Sequence, residues 1–316
     1  MRNAIVLAAG KGTRMRSDLP KVVHKVGNMP MAEVIVRNLK ECGAERIVTV
    51  VGYGHEIVEQ ALAGMCEFAL QEPQLGTGHA VMQARQLEGE TGTTLVVNGD
   101  AATIQAETLQ ALYDSVEEAD MAVLTVSLKD AASYGRVIRN EAGDVLKIVE
   151  FKDCSPEEAA VHEINTGIYA FNNEKLFEAL KELKNDNAQH EYYITDLVEI
   201  FRNKGWRVTA VLAEDEGEVQ GVNDCLELAR ANRWMKRHIN AKWMKAGVQF
   251  ADPRATYVGP FVKMGHDVEL FPNVYLYGDT VLGNGVTVMP GAFLENVTVK
   301  DGAIVNAGVY RDCELG

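Results

Sequence analysis

The chain has 316 residues, 47% apolar and 24% charged, proportions that exclude a disordered or collagen-like protein. Its length suits two domains, with three as the upper bound, and no apolar run approaches the ~18 residues of a membrane span. Thirty-one Lys and Arg against 45 Asp and Glu leave a net charge of −14, which argues against nucleic acid or an anionic membrane as partner but not against a small anion held by a few local cations.

The N-terminus, MRNAIVLAAGKGTRMR, has too short an apolar stretch for a signal peptide. The five cysteines (Cys42, Cys66, Cys154, Cys225 and Cys313) are scattered and lack metal-binding spacing. Both features point to reduced thiols in a cytoplasmic protein. In chain order, AIVLA (4–8) reads as a buried strand, Ile35 to Cys42 as part of a helix, RIVTVVG (46–52) as a strand and HEIVEQALAG (55–64) as a helix. TLVVN (94–98), AETLQALYDSVEEA (106–119) and MAVLTVSL (121–128) repeat the alternation. Short apolar strands separated by helices imply parallel pairing through right-handed crossovers. Their continuous apolar character implies a sheet covered on both faces. The fold expected over 1–223 is a Rossmann-like, doubly wound α/β domain whose ligand sits at the carboxyl ends of the strands.

Residues 224–247 read as one linker helix, with Leu226, Ala229, Met235, Ile239 and Trp243 among its apolar positions and Gly247 as its stop. From 248 to 316 the period becomes six. One column runs Val262, Val268, Val274, Thr280, Val286, Ala292, Thr298, Ile304, Tyr310; a second runs Met264, Leu270, Leu276, Leu282, Val288, Leu294. A hexapeptide period marks a parallel β-helix; an antiparallel sandwich of accidental period six is the alternative.

Three segments can carry chemistry. In Leu7-Ala8-Ala9-Gly10-Lys11-Gly12-Thr13-Arg14-Met15 the glycines let backbone N–H groups approach phosphate oxygens, and Arg14 and Lys21 supply cations. Met15 stands where a dinucleotide fingerprint or a Walker A loop would need glycine, and the bare pattern serves equally as a structural turn. Asn98-Gly99-Asp100 puts a carboxylate at a strand end, where Mg²⁺ is held by one carboxylate, water and phosphates, or else closes the strand as an Asx turn. Gln71-Glu72-Pro73-Gln74-Leu75-Gly76-Thr77-Gly78-His79 combines amides able to read a base edge with glycines that allow close approach; His79 is read as a local hydrogen-bonding group.

LAAGKGTRM with LPK, then QLGTGHA, GD, YGR (134–136), VEFKD (149–153), EINTG (163–167), NAQHEYYITD (187–196) and GVND (221–224) resemble bacterial N-acetylglucosamine-1-phosphate uridyltransferases over the whole chain. The bifunctional members follow a nucleotidyltransferase domain with a left-handed β-helix. The resemblance implies that Leu7, Ala8, Ala9 and Gly10 hold the nucleotide by backbone contacts and that Arg14 and Lys21, as the catalytic cations, grip the phosphates of UTP and of the sugar phosphate. It further implies that Gln71, Gly76 and Thr77 recognise uracil and that Asn98, Gly99 and Asp100 lie along the nucleotide. Gly135, Glu150 and Asn165 would hold the N-acetylglucosamine moiety, and Asp100 and Asn223 would bind Mg²⁺. The implied reaction is in-line attack of N-acetylglucosamine-1-phosphate on the α-phosphorus of UTP, releasing pyrophosphate, and it needs no general base or nucleophilic side chain.

There are three departures from the family pattern. Ala101-Ala102-Thr103 replaces a residue followed by Pro-Leu, His190 replaces a glycine, and Asn98 stands where an apolar or aromatic residue is common. A related sugar nucleotidyltransferase and a non-catalytic nucleotide-binding relative are therefore the alternative readings. The family also implies a trimer assembled through the β-helix. The only His after the linker helix is His266, in Met-Gly-His-Asp, and the rungs that build the family's acetyltransferase site are not in this chain, so no acetyl transfer is expected of it.

Overall fold

The structure, a computed structural model, describes residues 1–131, 134–141, 143–149, 151–187 and 189–316. Its two compact units are Met1–His24 with Met31–Cys225, and Lys25–Pro30 with Leu226–Gly316.

Among the described residues the first unit is built on a nine-stranded sheet. Its strands are β1 Arg2–Ala8, β2 Arg46–Val51, β3 Glu67–Leu70, β4 Thr93–Asn98, β5 Met121–Ser127, β6 Arg136–Arg139, β7 Val145–Val149, β8 Glu163–Asn172 and β9 Val208–Ala213. They lie in the order β9-β5-β8-β4-β1-β2-β3, with β6 and β7 forming a hairpin beside β8. β1 pairs in parallel with β2 and β4, β2 with β3, and β5 with β9.

Alternate residues of each strand enter different cores, as the pleat demands. Ala4, Val6, Leu95 and Val97 meet Ile35 and Leu39 of the helix Met31–Glu41 and Leu112 of Ala106–Ser115. Ile5, Val48, Val50 and Val96 face Val81 of Thr77–Gln83, Leu176 of Asn173–Leu180 and Phe201 of Asp196–Asn203. Both faces are covered by helices, the expected doubly wound arrangement, and this double burial is why the strands read as unbroken apolar runs.

Two features differ from the expectation. β8 runs antiparallel to β4 and β5; its sequence EINTGIYAFN mixes polar with apolar residues and its register breaks between Asn165 and Tyr169, so no apolar run announced it. The helix expected over 106–119 stops at Ser115, because continuing through Glu117 and Glu118 would place negative charge at the negative end of the helix dipole.

The chain leaves β1 towards β2 on one side, while β4 lies on the other. That is a topological switch point, and the segments following β1 and β4 open side by side at the carboxyl edge of the sheet. Leu7 lies opposite Asn98 in that pairing.

The second unit contains most of the helix Cys225–Lys245 and three parallel four-stranded sheets, the stacked faces of a short left-handed β-helix. Leu270, Leu276, Leu282, Val288 and Leu294 fill its interior together with Val268, Val274, Thr280, Val286 and Ala292. The spacing between paired rungs then shortens. Tyr257 pairs with Tyr275 and Tyr275 with Phe293, 18 residues apart, whereas Val281 pairs with Thr298, 17 on, and Phe293 with Val309, 16 on. Losing one residue at a corner swaps the inward and outward faces. Thr298 and Ile304, expected in a buried column, are therefore exposed, and Val297, Val299 and Val305 take the interior. No helix among the described residues is long and apolar enough to cross a membrane.

Candidate active site

The segment following β1 folds back so that the short helical turn Lys21–Val23, anchored by buried Val22, lies against it. Gly12 has φ of 64°, and a Cβ there would fall 2.5 Å from the Cβ of Lys21. Only glycine lets Lys21 lie so close to the loop. The Lys21 ammonium donates to Asp100 Oδ2 and, at 3.0 Å, to Asn223 Oδ1. The Lys21 and Asp100 side chains keep only 16% and 15% exposure.

Asp100 is held by its turn. The Gly99 N–H donates to the Leu7 carbonyl at 2.9 Å, and a Cβ on Gly99 would lie 2.8 Å from that oxygen. Ala101 N–H donates to Asn98 O and Ile104 N–H to Ala101 O, both at 3.1 Å, while Ala101 and Ala102 are buried. The turn thus stays ordered by backbone bonds and packing without the family's proline. Asn223 arrives from a distant loop tied down by Val222 N–H to Asp100 O (3.1 Å) and Thr103 Oγ1 to Glu218 O (2.9 Å). Glu218 Oε1 accepts the Gln105 N–H at 3.1 Å, and burial pushes its carboxyl above the ordinary Glu range.

Two cavities meet here. The first, of about 360 Å³, is lined by Leu7 to Gly10, Lys21, Gln71, Gly76 and Thr77. The second, of about 450 Å³, is lined by Tyr134, Ile164, Thr166, Gln220 and Asn223. Asn98 and Asp100 belong to both walls. In the first, buried Gln71 donates its amide N–H to Gly76 O at 3.0 Å and lies 3.2 Å from His79 Nδ1. Gly76 (φ 102°) leaves no space for a Cβ, which would meet Tyr192 O at 2.7 Å. The Thr77 hydroxyl accepts from Ile194 N at 3.2 Å. His79 is held below its ordinary pKa by burial, in keeping with a neutral hydrogen-bonding role.

Beside the second cavity, the Asn165 N–H donates to Gly135 O at 2.9 Å, and the Asn165 side chain bonds Tyr169 Oη (2.8 Å) and Gly167 N (2.9 Å). Their chain neighbours Tyr134, Ile164 and Thr166 form the wall. Arg14 is exposed on the turn Thr13–Met15 and lines neither cavity. Glu150 lies outside the described residues. His190 is exposed with φ of 53°, a left-handed backbone that suits the glycine expected from the family pattern.

Gln74, one of the two amides of the 71–79 segment, donates to Ala9 O at 2.6 Å in the first wall; sequence reading missed Glu191 in the same wall and Thr166 in the second. Each lies inside a quoted motif, but its role depends on a pairing between distant segments, such as Tyr192 N–H to Leu75 O at 2.8 Å.

No group of three or more His, Cys, Asp or Glu able to hold a metal occurs among the described residues. The donor set here is instead one carboxylate and one amide oxygen converging on a single cation, the Lys21 ammonium. Two hard oxygens with space for phosphate and water suit a hard divalent ion, which usually keeps only one or two protein ligands.

Comparison with known proteins identifies the family. The nucleotidyl transferase family model matches residues 3–247. The chain is 46% identical over 316 residues to the bifunctional protein GlmU of Exiguobacterium sibiricum, covering 99% of this chain and 70% of that one. It is 46% identical over 315 residues to GlmU of Streptococcus gordonii (99% and 69%) and 44% identical over 317 to that of Limosilactobacillus reuteri (99% and 70%). Among solved structures, a Bacillus anthracis chain described as a glucose-1-phosphate thymidylyltransferase, in complex with sucrose, shares the fold at a TM-score of 0.60 and 22% identity, over 74% of this chain and 95% of that one. The chain therefore belongs to the nucleotidyl transferase family, and within it to the GlmU proteins.

Proposed function

We infer that this enzyme transfers a uridylyl group from UTP to N-acetylglucosamine-1-phosphate, releasing pyrophosphate and UDP-N-acetylglucosamine. The observation that carries the reading is the Lys21–Asp100–Asn223 cluster, with Asp100 in the wall shared by two cavities. One cavity takes the nucleotide and the other the sugar, so the two phosphates meet at the cluster. The N–H groups of Leu7 to Gly10 follow the triphosphate. Gln71 directs its amide nitrogen to Gly76 O and towards His79, which turns its oxygen to the uracil N–H, while Gly76 lets the base approach the backbone. On the other side Gly135, Asn165 and Glu150 take the N-acetylglucosamine moiety.

The sugar-phosphate oxygen is already anionic. It forms the new bond to the α-phosphorus, the bond to the bridging oxygen breaks, and pyrophosphate leaves with the electron pair. No proton is removed, so no base is needed. Alignment and charge neutralisation remain as the protein's task. Lys21 neutralises charge at the reacting phosphates, and Arg14, exposed on its turn, reaches the outer phosphates of UTP. Asp100 and Asn223 would hold the divalent ion, Mg²⁺ in this reading, which supplies Lewis-acid neutralisation of phosphate charge when bound.

The free cysteines among the described residues support a cytoplasmic setting. Exposed Ile304 and Val309 on the β-helix support self-association, proposed as a trimer; a monomer in sedimentation at micromolar concentration would refute it. The activity itself is tested by pyrophosphate release. UTP with N-acetylglucosamine-1-phosphate and Mg²⁺ should give equimolar UDP-N-acetylglucosamine and pyrophosphate. Release that does not depend on the sugar phosphate, or no release, overturns the assignment.

A further inference from the structure

The C-terminal unit has a cavity of its own, of about 410 Å³, formed by Asn232, Arg233 and Lys236 of the helix Cys225–Lys245, Tyr257 and Tyr277 of the β-helix, and Gly27 of the 25–30 segment. Its aromatic wall is braced. Tyr257 stacks on Tyr275 with centroids 4.8 Å apart and planes 8° from parallel. Tyr277 meets Phe293 edge-on at 5.7 Å. Lys236 Nζ lies 4.4 Å from the Tyr257 ring centroid and donates to Arg254 O at 2.8 Å. Arg233 is exposed and has no hydrogen bond or ion pair among the described residues.

The charge of this lining runs against that of the chain. In a protein of net charge −14, the cavity is lined by two cations and no carboxylate. The acid nearest in register, Glu295 beneath Tyr277, is engaged by Arg311 at 3.0 Å and Asn28 at 3.2 Å. Burial raises the Tyr277 hydroxyl to about 12, so it adds no negative charge at neutral pH. Tyr275 covers one face of Tyr257 and Lys236 the other, so the aromatic surface left to a ligand is that of Tyr277; beside two cations that no carboxylate of the lining opposes, it suits a planar ring carrying an anionic group.

We propose that this cavity is a nucleotide-binding site separate from the Lys21–Asp100 centre, with the base against the tyrosine wall and the phosphate on Arg233 and Lys236. The site reads ring face and charge rather than the base edge. The only amide in its lining, Asn232, already accepts from Gly27 N (3.0 Å) and donates to Lys25 O and Leu228 O (3.1 Å each). Recognition by stacking and charge tolerates any base.

The probe is AMP, which lacks the base and the triphosphate of the substrate, titrated into the full chain by calorimetry. The expected result is saturable binding at one site. Arg233→Glu should weaken it at least about tenfold, Lys21→Ala should leave it unchanged, and ribose 5-phosphate should bind more weakly than AMP for want of a ring. Arg233 is exposed, so the substitution spares the fold, and an unchanged melting curve confirms that. Absence of AMP binding, binding that survives Arg233→Glu but is lost in Lys21→Ala, or ribose 5-phosphate binding as tightly as AMP would each overturn the proposal.

Discussion

Lys21→Ala separates three effects that converge on one ammonium group. In the free protein Lys21 bonds Asp100 and Asn223; in the proposed reaction it neutralises phosphate charge. Removing a preorganised electrostatic group of this kind costs ~2–4 kcal/mol at the transition state, a fall in kcat/KM of roughly 30- to 1,000-fold. The substitution also leaves the Asp100 carboxylate without its cation. Breaking a fully buried pair costs ~3–5 kcal/mol, but water reaches part of both groups, with 16% and 15% exposure. A loss of ~1–2 kcal/mol is therefore expected, lowering Tm by about 2–8 °C. Third, the ammonium lies where a metal would share these same two oxygens. Mn²⁺ binding to the substrate-free variant, read by electron paramagnetic resonance, should be tighter than to the wild type. Pyrophosphate release, thermal melting and Mn²⁺ titration measure the three effects separately. A kcat/KM within about twofold of wild type would remove Lys21 from the reacting phosphates. Weaker Mn²⁺ binding would show that lysine and metal do not compete for Asp100 and Asn223.

Asp100→Ala should abolish turnover while the chain stays folded, because the turn is held by backbone bonds from Gly99, Ala101 and Val222 rather than by the carboxylate alone; near-normal activity at saturating Mg²⁺ would dismiss Asp100 as a metal ligand. Gly76→Ala combines a left-handed φ of 102° with a Cβ 2.7 Å from Tyr192 O, so a stability loss of ~1–3 kcal/mol and a raised KM for UTP are expected; an unchanged KM and melting curve would contradict the close approach. Burial is the main cause that holds Glu218 above its ordinary value, and the Thr108 and Gln105 hydrogen bonds only partly offset it. The folded protein therefore binds this proton more tightly than the unfolded chain. The associated stability is whole below the ordinary Glu pKa and is lost as pH rises through the raised one. Glu218→Gln keeps an acceptor for the Gln105 N–H and should flatten that part of the Tm–pH curve; parallel curves for variant and wild type would refute it.

Legibility in the sequence followed burial. Strands β1, β2, β4 and β5 showed as apolar runs because helices cover both faces of the sheet, and the Gly-rich loop and Asn98-Gly99-Asp100 were found because each follows such a run. β8 stayed hidden because it carries the polar pair Asn165 and Thr166 at a break in register, where the chain turns from making core to making a cavity wall. The six-residue period read correctly as far as Leu294 and failed from Thr298 on, since a period count cannot see a corner shortened by one residue. The side chains that pattern alone could not rank, Gln74, Glu191 and Thr166, reach the cavities through tertiary pairing of distant segments.

The departure that most threatened a catalytic reading, Ala101-Ala102, bears on what the turn after β4 requires. A proline would restrict the backbone by its ring; here the same restriction comes from packing. Ala101 is 3% exposed and Ala102 fully buried, and both neighbouring N–H groups that could fray the turn are bonded within it. Small side chains are what let this segment lie inside the core layer of Val97 and Leu109. What the turn must secure is the position of Asp100 relative to Lys21 and to the loop of Asn223, and that is fixed independently by the Gly99 bond to β1 and the Val222 bond to Asp100. The proline expected from the family pattern would thus add one constraint among several, and Asp100 is held in this chain without it.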